Sequence, residues 1–241
     1  LPSLRQNPPL LMLFIRSAKD VAAEAHSVKL ASLGQLTANI AHEIRNPLSA
    51  IRHANDLLAE NNTDPMATKL AQMIDSNVRR IDHMVEEVLT LNKRDRINTD
   101  KIDLADFLRR FGQEFLLANP AAKGCLKIQM HHPHVVILFD SGHLQQIIWN
   151  LANNAWRHSQ QNAEAITIRV QPHNQSGHIA LSVIDNGAGV PPGLRERIFE
   201  PFFTTEQKGS GLGLYVAREL AQANQGDLTY QADANGFEIR I

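Results

Sequence analysis

The sequence has 241 residues, enough for one large domain or two ordinary ones, and its 43% hydrophobic and 20% charged content is typical of folded globular chains. Its formal net charge of −1 provides no electrostatic basis for direct binding to nucleic acid. The single cysteine, Cys125, excludes an internal disulfide framework.

The chain begins with a short apolar stretch, LLMLFI at residues 10–15, which is too short to span a bilayer and lacks the features of a signal peptide. The stretch is typical of a final strand, and the pattern turns helical around Ser17. Because the sequence starts in mid-pattern without an initiator methionine, we interpret residues 1–16 as the remnant of an upstream domain.

Two long helices are predicted within residues 17–95, separated by the loop NNTDP, in which Asp64 and Pro65 suit the start of a helix. Apolar positions spaced alternately by three and four residues form a heptad pattern in both helices. In the first helix they include Leu30, Leu33, Ile40, Ile44, Ile51 and Leu58, and in the second Leu70, Ile74, Ile81, Met84, Val88 and Leu91. One antiparallel hairpin leaves this face open, so we predict a homodimer that forms a four-helix bundle; a monomer whose apolar face packs on the second domain is the alternative.

A proline lies one turn after a His–Glu pair in IAHEIRNPLSAI, residues 40–51. Pro47 cannot donate a hydrogen bond to the carbonyl of Glu43, and its ring clashes with that carbonyl. We therefore predict a bend at this turn that could present or withhold the imidazole of His42.

Beyond a polar linker at residues 96–102, strands and helices interleave. Helices are predicted at 104–118, 143–159 and 212–223, and strands at 126–130, 135–140, 165–172, 178–187 and in the closing segments DLTYQA and FEIRI. Residues 103–241 are therefore predicted to form an α/β sandwich, a sheet covered by helices on one face.

Polar side chains follow one face of the helix at 143–159, where Asn150, Asn154, Arg157 and His158 occupy positions i, i+4, i+7 and i+8. Amide and cationic groups in a row suit a hydrated Mg²⁺ ion and phosphates, because Mg²⁺ prefers hard oxygen ligands and keeps several waters. A face that is merely solvated is the alternative.

The segment DNGAGV places Asp185 at a strand end, followed by Gly187 and Gly189. An aspartate there can accept a hydrogen bond from an exocyclic amine, and glycines let the backbone approach a flat ring closely. Taken alone, the segment is more typical of a simple turn.

A glycine-rich segment, KGSGLGL at residues 208–214, lies at the predicted start of a helix. Backbone N–H groups at such a helix start bind phosphate, and Lys208 stands beside Gly209, Gly211 and Gly213. The segment matches neither the phosphate loop GxxxxGK[ST] nor the dinucleotide fingerprint GxGxxG. Between it and Asp185, RIFEPFFTT at residues 197–205 could anchor a lid over a nucleotide.

In this order the motifs resemble the N, G1, F and G2 boxes of histidine-kinase ATP-binding domains, the Bergerat fold shared with gyrase and Hsp90-type ATPases, and IAHEIRNPL resembles the H-box of the same kinases. The resemblance covers roughly residues 28–241. Within the family, LASLGQLTANIAHEIRNPLSAIRHANDLL and EPFFTTEQKGSGLGLYVAREL are most similar to the pilus-regulating sensor kinases, then to the nitrogen-regulatory type. PPLLMLFIRSAKDVAAEA resembles the last strand and exit helix of a PAS sensor domain.

The resemblance implies that ATP and Mg²⁺ are cofactors, that His42 is the phosphoacceptor and that Glu43 is the general base. It implies that Asn46 positions the water that dephosphorylates a partner response regulator. It assigns Asn154 to Mg²⁺ and Asp185 to the adenine amine. The other nucleotide contacts that it implies are Asn150, Arg157, His158, Gly187, Gly189, Lys208, Gly209, Gly211, Leu212 and Gly213.

The same resemblance implies a partner receiver domain, in a sigma-54-type activator of pilin expression. It implies a cytoplasmic fragment of a protein anchored in the inner membrane through a region outside this sequence. Two rival functions stay open: a Bergerat-type ATPase without phosphotransfer, and a non-catalytic nucleotide-binding scaffold. The H-box argues against the ATPase, which needs no histidine there.

Overall fold

The computed structural model describes residues 44–60, 64–93, 97–173, 177–206 and 209–241. The predicted elements before residue 44, together with His42 and Glu43, lie outside the described residues, as does the start of the predicted bend. The described residues 44–60 are helical throughout, the exposed Pro47 included, and are called helix α1. Helix α2 covers Pro65–Lys93 and begins as predicted, with Asp64 Oδ1 accepting a hydrogen bond from the Met66 N–H at 3.0 Å.

Helices α1 and α2 form an antiparallel hairpin held by polar contacts at two levels. Near the loop, Asn55 Nδ2 donates to the Ala71 carbonyl at 2.9 Å. Further along the hairpin, Arg45 pairs with Asp82 at 3.0 Å and with Glu86 at 2.9 Å. The part of α1 around Asn55 thus meets the beginning of α2, and the part around Arg45 meets the second half of α2.

The second part of the chain is an α/β sandwich with three long helices and seven strands among its described residues. The helices are α3 (Leu104–Ala118), α4 (Ser141–His158) and α5 (Gly213–Ala223); the strands are β1 (Thr99–Asp103), β2 (Leu126–Met130), β3 (Val136–Asp140), β4 (Ile166–Pro172), β5 (Ile179–Asp185), β6 (Asp227–Gln231) and β7 (Gly236–Arg240). Short 3₁₀ turns lie at Pro120–Ala122 and Pro192–Leu194.

Five strands form the main sheet in the order β2-β4-β5-β7-β6, while β1 and β3 form a separate antiparallel pair. Strand β2 runs parallel to β4, and the other neighbours in the main sheet are antiparallel. The core lies between this sheet and the helices, where Phe111, Phe115 and Leu151 are fully buried. The predicted fold class, a helical hairpin followed by an α/β sandwich, is confirmed.

The structure differs from the predicted elements in two places. Strand β1 lies in the stretch predicted to be a linker. The prediction missed it because TDKID contains one apolar residue, Ile102, and lacks the alternation of apolar and polar residues typical of a strand. The strand forms by pairing with β3. Helix α4 begins at Ser141, two residues earlier than predicted, because Asp140 caps it through the His143 N–H at 2.9 Å. Within the described ranges, no helix has both the length and the apolar composition needed to cross a membrane.

Candidate functional site

A cavity of about 730 Å³ lies between α4, the start of α5, the loop that follows β5, and helix α2 of the hairpin. This volume is typical of sites that bind small ligands and cofactors. Nine of the predicted nucleotide residues line the cavity: Asn150, Asn154, Arg157, His158, Asp185, Gly189, Gly209, Gly211 and Gly213. The structure therefore brings together three motifs that lie far apart in the sequence.

Helix α4 contributes two amide side chains with different surroundings. Asn150 accepts a hydrogen bond from Gln146 at 3.3 Å and donates to the Gly213 carbonyl at 3.0 Å, so it ties α4 to the first residue of α5. Asn154 lies one turn further along the same face, and its amide makes no hydrogen bond within the described part of the chain. Its hard oxygen is thus available to a ligand of the cavity.

The end of α4 carries the exposed cationic residues of the site. His158 Nε2 lies 3.4 Å from Glu206 Oε1 and forms an ion pair with it when the imidazole is protonated. Arg157 is exposed at the rim. Glu206 belongs to the segment between Asp185 and the glycines, so this contact connects that segment to α4.

Asp185 lies half-buried at the end of β5, and burial raises the pKa of its carboxyl group above the usual range for aspartate. The Gly187 N–H donates to its Oδ1 at 2.8 Å, which opposes the effect of burial on that pKa, as does the nearby His158. An acceptor held in this way at the wall of a cavity can receive a hydrogen bond from a planar ligand.

Asn235 and Tyr230 hold the loop after β5 in place, although neither was predicted as a site residue. Asn235 Nδ2 donates to the carbonyl oxygens of Asp185 and Gly187 at 3.2 and 2.9 Å. Tyr230 donates to Asn235 Oδ1 at 3.0 Å and accepts from the Val190 N–H at 2.8 Å. The sequence predicts only two closing strands around them, because their role arises from the antiparallel arrangement of β5, β6 and β7.

Two of the predicted glycines occupy backbone conformations that favour glycine. Gly189 has φ +72° and packs against the Asn235 side chain. Gly211 also has φ +72°, and a Cβ at this position would lie 2.5 Å from the carbonyl carbon of Phe202. Both positions therefore combine a left-handed conformation with close packing, and a larger residue would displace the loops around the cavity.

Some predicted site residues lie away from the cavity surface or outside the described residues. Leu212 is a fully buried residue of the segment 209–213, which we call the glycine loop. Gly187 packs against the His158 carbonyl and acts through its N–H on Asp185. Asn46 is exposed on α1 and is not among the residues lining the cavity. Lys208, His42 and Glu43 fall in the parts of the chain that are not described.

Helix α2 forms a wall of the cavity that the sequence did not predict. Its lining residues include Asn77, Arg80 and Glu87. Arg80 Nη2 donates to the Gly209 carbonyl at 3.4 Å, and Val88 packs against the core of the sandwich. The contact of Val88 involves the predicted apolar face, but the heptad pattern gives no sign of the cavity contacts of Arg80 and Glu87, since polar residues off that face are expected to be solvated.

The fold and the cavity define a nucleotide-binding module joined to a helical hairpin, and comparisons with known families agree. Residues 139–241 match the family described as "Histidine kinase-, DNA gyrase B-, and HSP90-like ATPase", and residues 32–97 match "His Kinase A (phospho-acceptor) domain". The chain belongs to the histidine kinases of two-component systems, as the sequence motifs predicted.

Among curated relatives, the chain is similar to the sensor protein kinase PilS of Pseudomonas aeruginosa, with 37% identity over 96% of this chain and 44% of that protein. It is 29% identical to the signal transduction histidine-protein kinase AtoS of Escherichia coli, over 85% of this chain and 33% of the relative. The predicted resemblance to the PilS type is thereby confirmed. The chain spans less than half the length of these relatives.

Two solved structures share the architecture. Full-length ShkA in complex with AMPPNP superposes with a TM-score of 0.64 at 25% identity, covering 86% of this chain and 44% of that one. The histidine kinase ThkA in complex with the response regulator TrrA gives a TM-score of 0.61 at 24% identity, covering 94% of this chain and 66% of that one. The second likeness concerns the fold alone.

Proposed function

We propose that the chain is the kinase portion of a sensor histidine kinase that phosphorylates its own His42 from Mg·ATP and passes the phosphoryl group to an aspartate of a response regulator. One observation carries this proposal above the others. The cavity that gathers the nucleotide motifs is walled on one side by the hairpin, whose first helix bears the H-box.

In this proposal Asp185 accepts a hydrogen bond from the adenine amine, and the glycine loop and the first N–H groups of α5 receive the phosphates. Asn150 supports the phosphates by fixing Gly213, Arg157 and Lys208 supply positive charge, and His158 contacts a phosphate or the ribose. The free amide oxygen of Asn154 fits Mg²⁺, which would neutralise charge on the phosphates when bound.

The chemical step is the attack of a neutral His42 ring nitrogen on the γ-phosphorus of ATP, in line with the departing ADP oxygen. An N–P bond forms as the P–O bond to ADP breaks, and Glu43 accepts the proton from the other ring nitrogen. An unperturbed histidine is largely neutral at pH 7, which suits this role, and base assistance contributes roughly 10²–10⁴-fold.

After transfer to the response regulator, Asn46 would position the water that removes the phosphoryl group from the regulator's aspartate. Asn46 is exposed on α1, within reach of a docked protein, which supports this role. The resemblance of the sequence to pilus-regulating sensor kinases implies a sigma-54-type activator as the partner and type IV pilus genes as the target, and the similarity to the sensor protein kinase PilS agrees with that resemblance. The same resemblance implies attachment of the whole protein to the inner membrane, with the present chain on the cytoplasmic side.

A homodimer through the hairpin completes the proposal. Large apolar side chains of the predicted heptad face are exposed, among them Ile51, Leu58, Leu70 and Ile81. An open apolar face of this extent supports pairing with a second hairpin.

The test is incubation with Mg·ATP labelled on the γ-phosphate, comparing the wild type with His42→Gln. His53→Gln is the matched control, because His53 is an exposed histidine of the same predicted helix. We expect label that is stable in alkali and labile in acid in the wild type and in the control, and none in His42→Gln.

Two other results would replace the proposal. ATP turnover without protein label would indicate a Bergerat-type ATPase. Nucleotide binding with neither label nor turnover would indicate a scaffold. Label retained in His42→Gln would refute His42 as the acceptor.

A further inference from the structure

One face of helix α2 contacts both ends of the glycine loop. Arg80 and Glu87 are seven residues apart, two helical turns, and therefore lie on the same face. Arg80 Nη2 reaches the carbonyl of Gly209, the first residue of the loop, at 3.4 Å. Glu87 Oε1 lies 3.5 Å from the point where a Cβ would stand on Gly213, the last residue of the loop.

The guanidinium of Arg80 lacks hydrogen-bond partners for part of its N–H donors among the described residues. The side chain lines the cavity, and its Nε is shielded from solvent without a hydrogen-bond partner among the described residues. Its contact with Gly209 is long and is made to a neutral oxygen. A guanidinium has five N–H donors, and withdrawing it from water costs free energy unless those donors are satisfied. A partly desolvated cation facing a ligand cavity is matched by an anionic ligand.

We propose that Arg80 is a nucleotide-contacting residue supplied by the helical hairpin, and that its guanidinium pairs with a phosphate oxygen of ATP in the cavity. This inference rests on the proposed function, which takes the ligand to be ATP. Planar guanidinium groups bind phosphate with two parallel hydrogen bonds, a geometry that the two terminal Nη groups allow. Bound ATP then links the hairpin to the ATP-binding domain.

The charges around the loop favour this position for the phosphates. Glu87 of α2 is only 3% exposed and packs against the start of α5. The dipole of α5 favours a carboxylate at this place, but the carboxylate repels phosphate. Arg80 lies about 10 Å from Glu87 along the helix axis. Arg157 and His158 stand on α4 at the cavity wall. The phosphate that pairs with Arg80 therefore lies at the Gly209 end of the loop, away from Glu87, while the N–H groups at the start of α5 stay available to the rest of the phosphate chain.

The experiment measures the affinities of ATP and of adenosine for the whole chain by displacement of a fluorescent ATP analogue. Adenosine has the base and the ribose but no phosphate, so it reports on the integrity of the pocket alone. We expect Arg80→Met to weaken ATP binding roughly 10- to 100-fold and to leave adenosine binding unchanged, with partial recovery in Arg80→Lys. Arg109→Met is the control, since it removes the same charge from the exposed face of α3.

Each other outcome overturns the inference. Equal weakening of ATP and adenosine in Arg80→Met would assign Arg80 a purely structural role. Unchanged ATP affinity would remove Arg80 from the site. A loss of ATP affinity of the same size in Arg109→Met would show that the effect comes from the change in net charge alone. Failure of the wild type to bind either compound would instead refute the proposed ATP site itself, before any variant is considered.

Discussion

The helical hairpin and the α/β sandwich differ in what they do with their apolar residues. In the sandwich, Phe111, Phe139 and Leu151 are completely buried. In the hairpin, Leu58 is 64% exposed and Leu70 is 53% exposed, although both belong to the heptad pattern. The sandwich therefore has a complete core within one chain, whereas the hairpin leaves much of its apolar face exposed. Packing within the chain stabilises the first region, and in the proposed homodimer association would complete the core of the second.

The largest expected effect breaks the association of the hairpin. Leu70→Asp combined with Ile74→Asp puts unpaired charges into the proposed dimer interface, where an uncompensated buried charge costs about 3–5 kcal/mol. We expect dimerisation to weaken at least about a thousandfold, as measured by sedimentation equilibrium. Gln72→Asp, at an exposed position outside the heptad pattern, should leave the dimer intact. If the double variant still dimerised as the wild type does, this face would not be the interface.

The next effect lies in the core of the sandwich. Phe111 stacks on Phe115 with ring centroids 5.8 Å apart and meets the edge of Trp149 at 6.0 Å. Phe111→Ala should lower the free energy of unfolding by about 3–5 kcal/mol in denaturant titrations, without a change in dimer affinity. Leu117→Ala on the same helix, where the side chain is 81% exposed, should change it by less than about 0.5 kcal/mol. Similar losses in both variants would contradict the difference in packing.

Ionisation of Asp185 is expected to lower the stability of the fold and to strengthen the binding of ATP. Its pKa is raised in the folded chain, so folding favours the protonated carboxyl, and this group lowers stability as pH rises above its unfolded value of about 4. We therefore expect nucleotide-free Asp185→Asn to be at least as stable as the wild type at pH 7, yet to bind ATP about a hundredfold more weakly, since a charged acceptor is lost.

In the wild type, ATP affinity should fall as pH is lowered through the raised pKa of Asp185, which is where the ionised acceptor is lost. Binding isotherms over a pH series test this. Asp233→Asn removes an exposed carboxylate and should keep the wild-type profile. A pH profile for Asp185→Asn that matched the wild type would show that another group titrates.

A smaller effect concerns the polar contact inside the hairpin. Asn55 is buried and donates to the Ala71 carbonyl across the two helices. Asn55→Ala should reduce hairpin stability by about 1 kcal/mol in thermal unfolding followed by circular dichroism. Asn77→Ala, which removes a bond to Met73 of its own helix, should have less effect. Equal losses of stability in the two variants would mean that the hydrogen bond between the helices stabilises the hairpin no more than one within a single helix.

The smallest effect is electrostatic. Arg45 pairs with Asp82 and Glu86 near the surface, and partly exposed ion pairs contribute about 0.2–1 kcal/mol. Arg45→Met should lower the melting temperature slightly at low salt, and the difference should vanish near about 1 M salt because the charges are screened. Arg52→Met, at an exposed position of the same helix, serves as the control for charge removal. A difference that persisted at high salt would point to packing by the arginine stem instead.

The sequence predicted those parts of the site that lie within single elements. The amides of α4 follow from helical periodicity, and Asp185, Gly189 and the glycine loop follow from turn and helix-start patterns. Arg80, Asn235 and Tyr230 escaped prediction because each acts on a residue that is distant in the sequence and lies in another element. No local sequence pattern marks a contact that forms only when separate elements pack together.

The fold shows the same division. Long periodic elements such as α2 and α4 were predicted within a few residues, while strand β1 was interpreted as a linker. Its sequence TDKID is polar, and it becomes a strand only because β3 offers an edge for pairing. Strand β3 was predicted, but its separation from the main sheet was not, since strand order depends on contacts between elements.

The hydrogen bond from the Asn98 N–H to Asp140 Oδ2, at 2.8 Å, limits how far the sandwich can move from the hairpin. Helix α2 ends at Lys93, so the chain takes only about five steps from the helix end to this anchor, and a chain of that length spans at most about 18 Å. Such a short tether keeps the sandwich beside helix α2 at an effective concentration in the millimolar range. Completion of the cavity wall by α2 is therefore an intramolecular event that does not depend on the concentration of the protein.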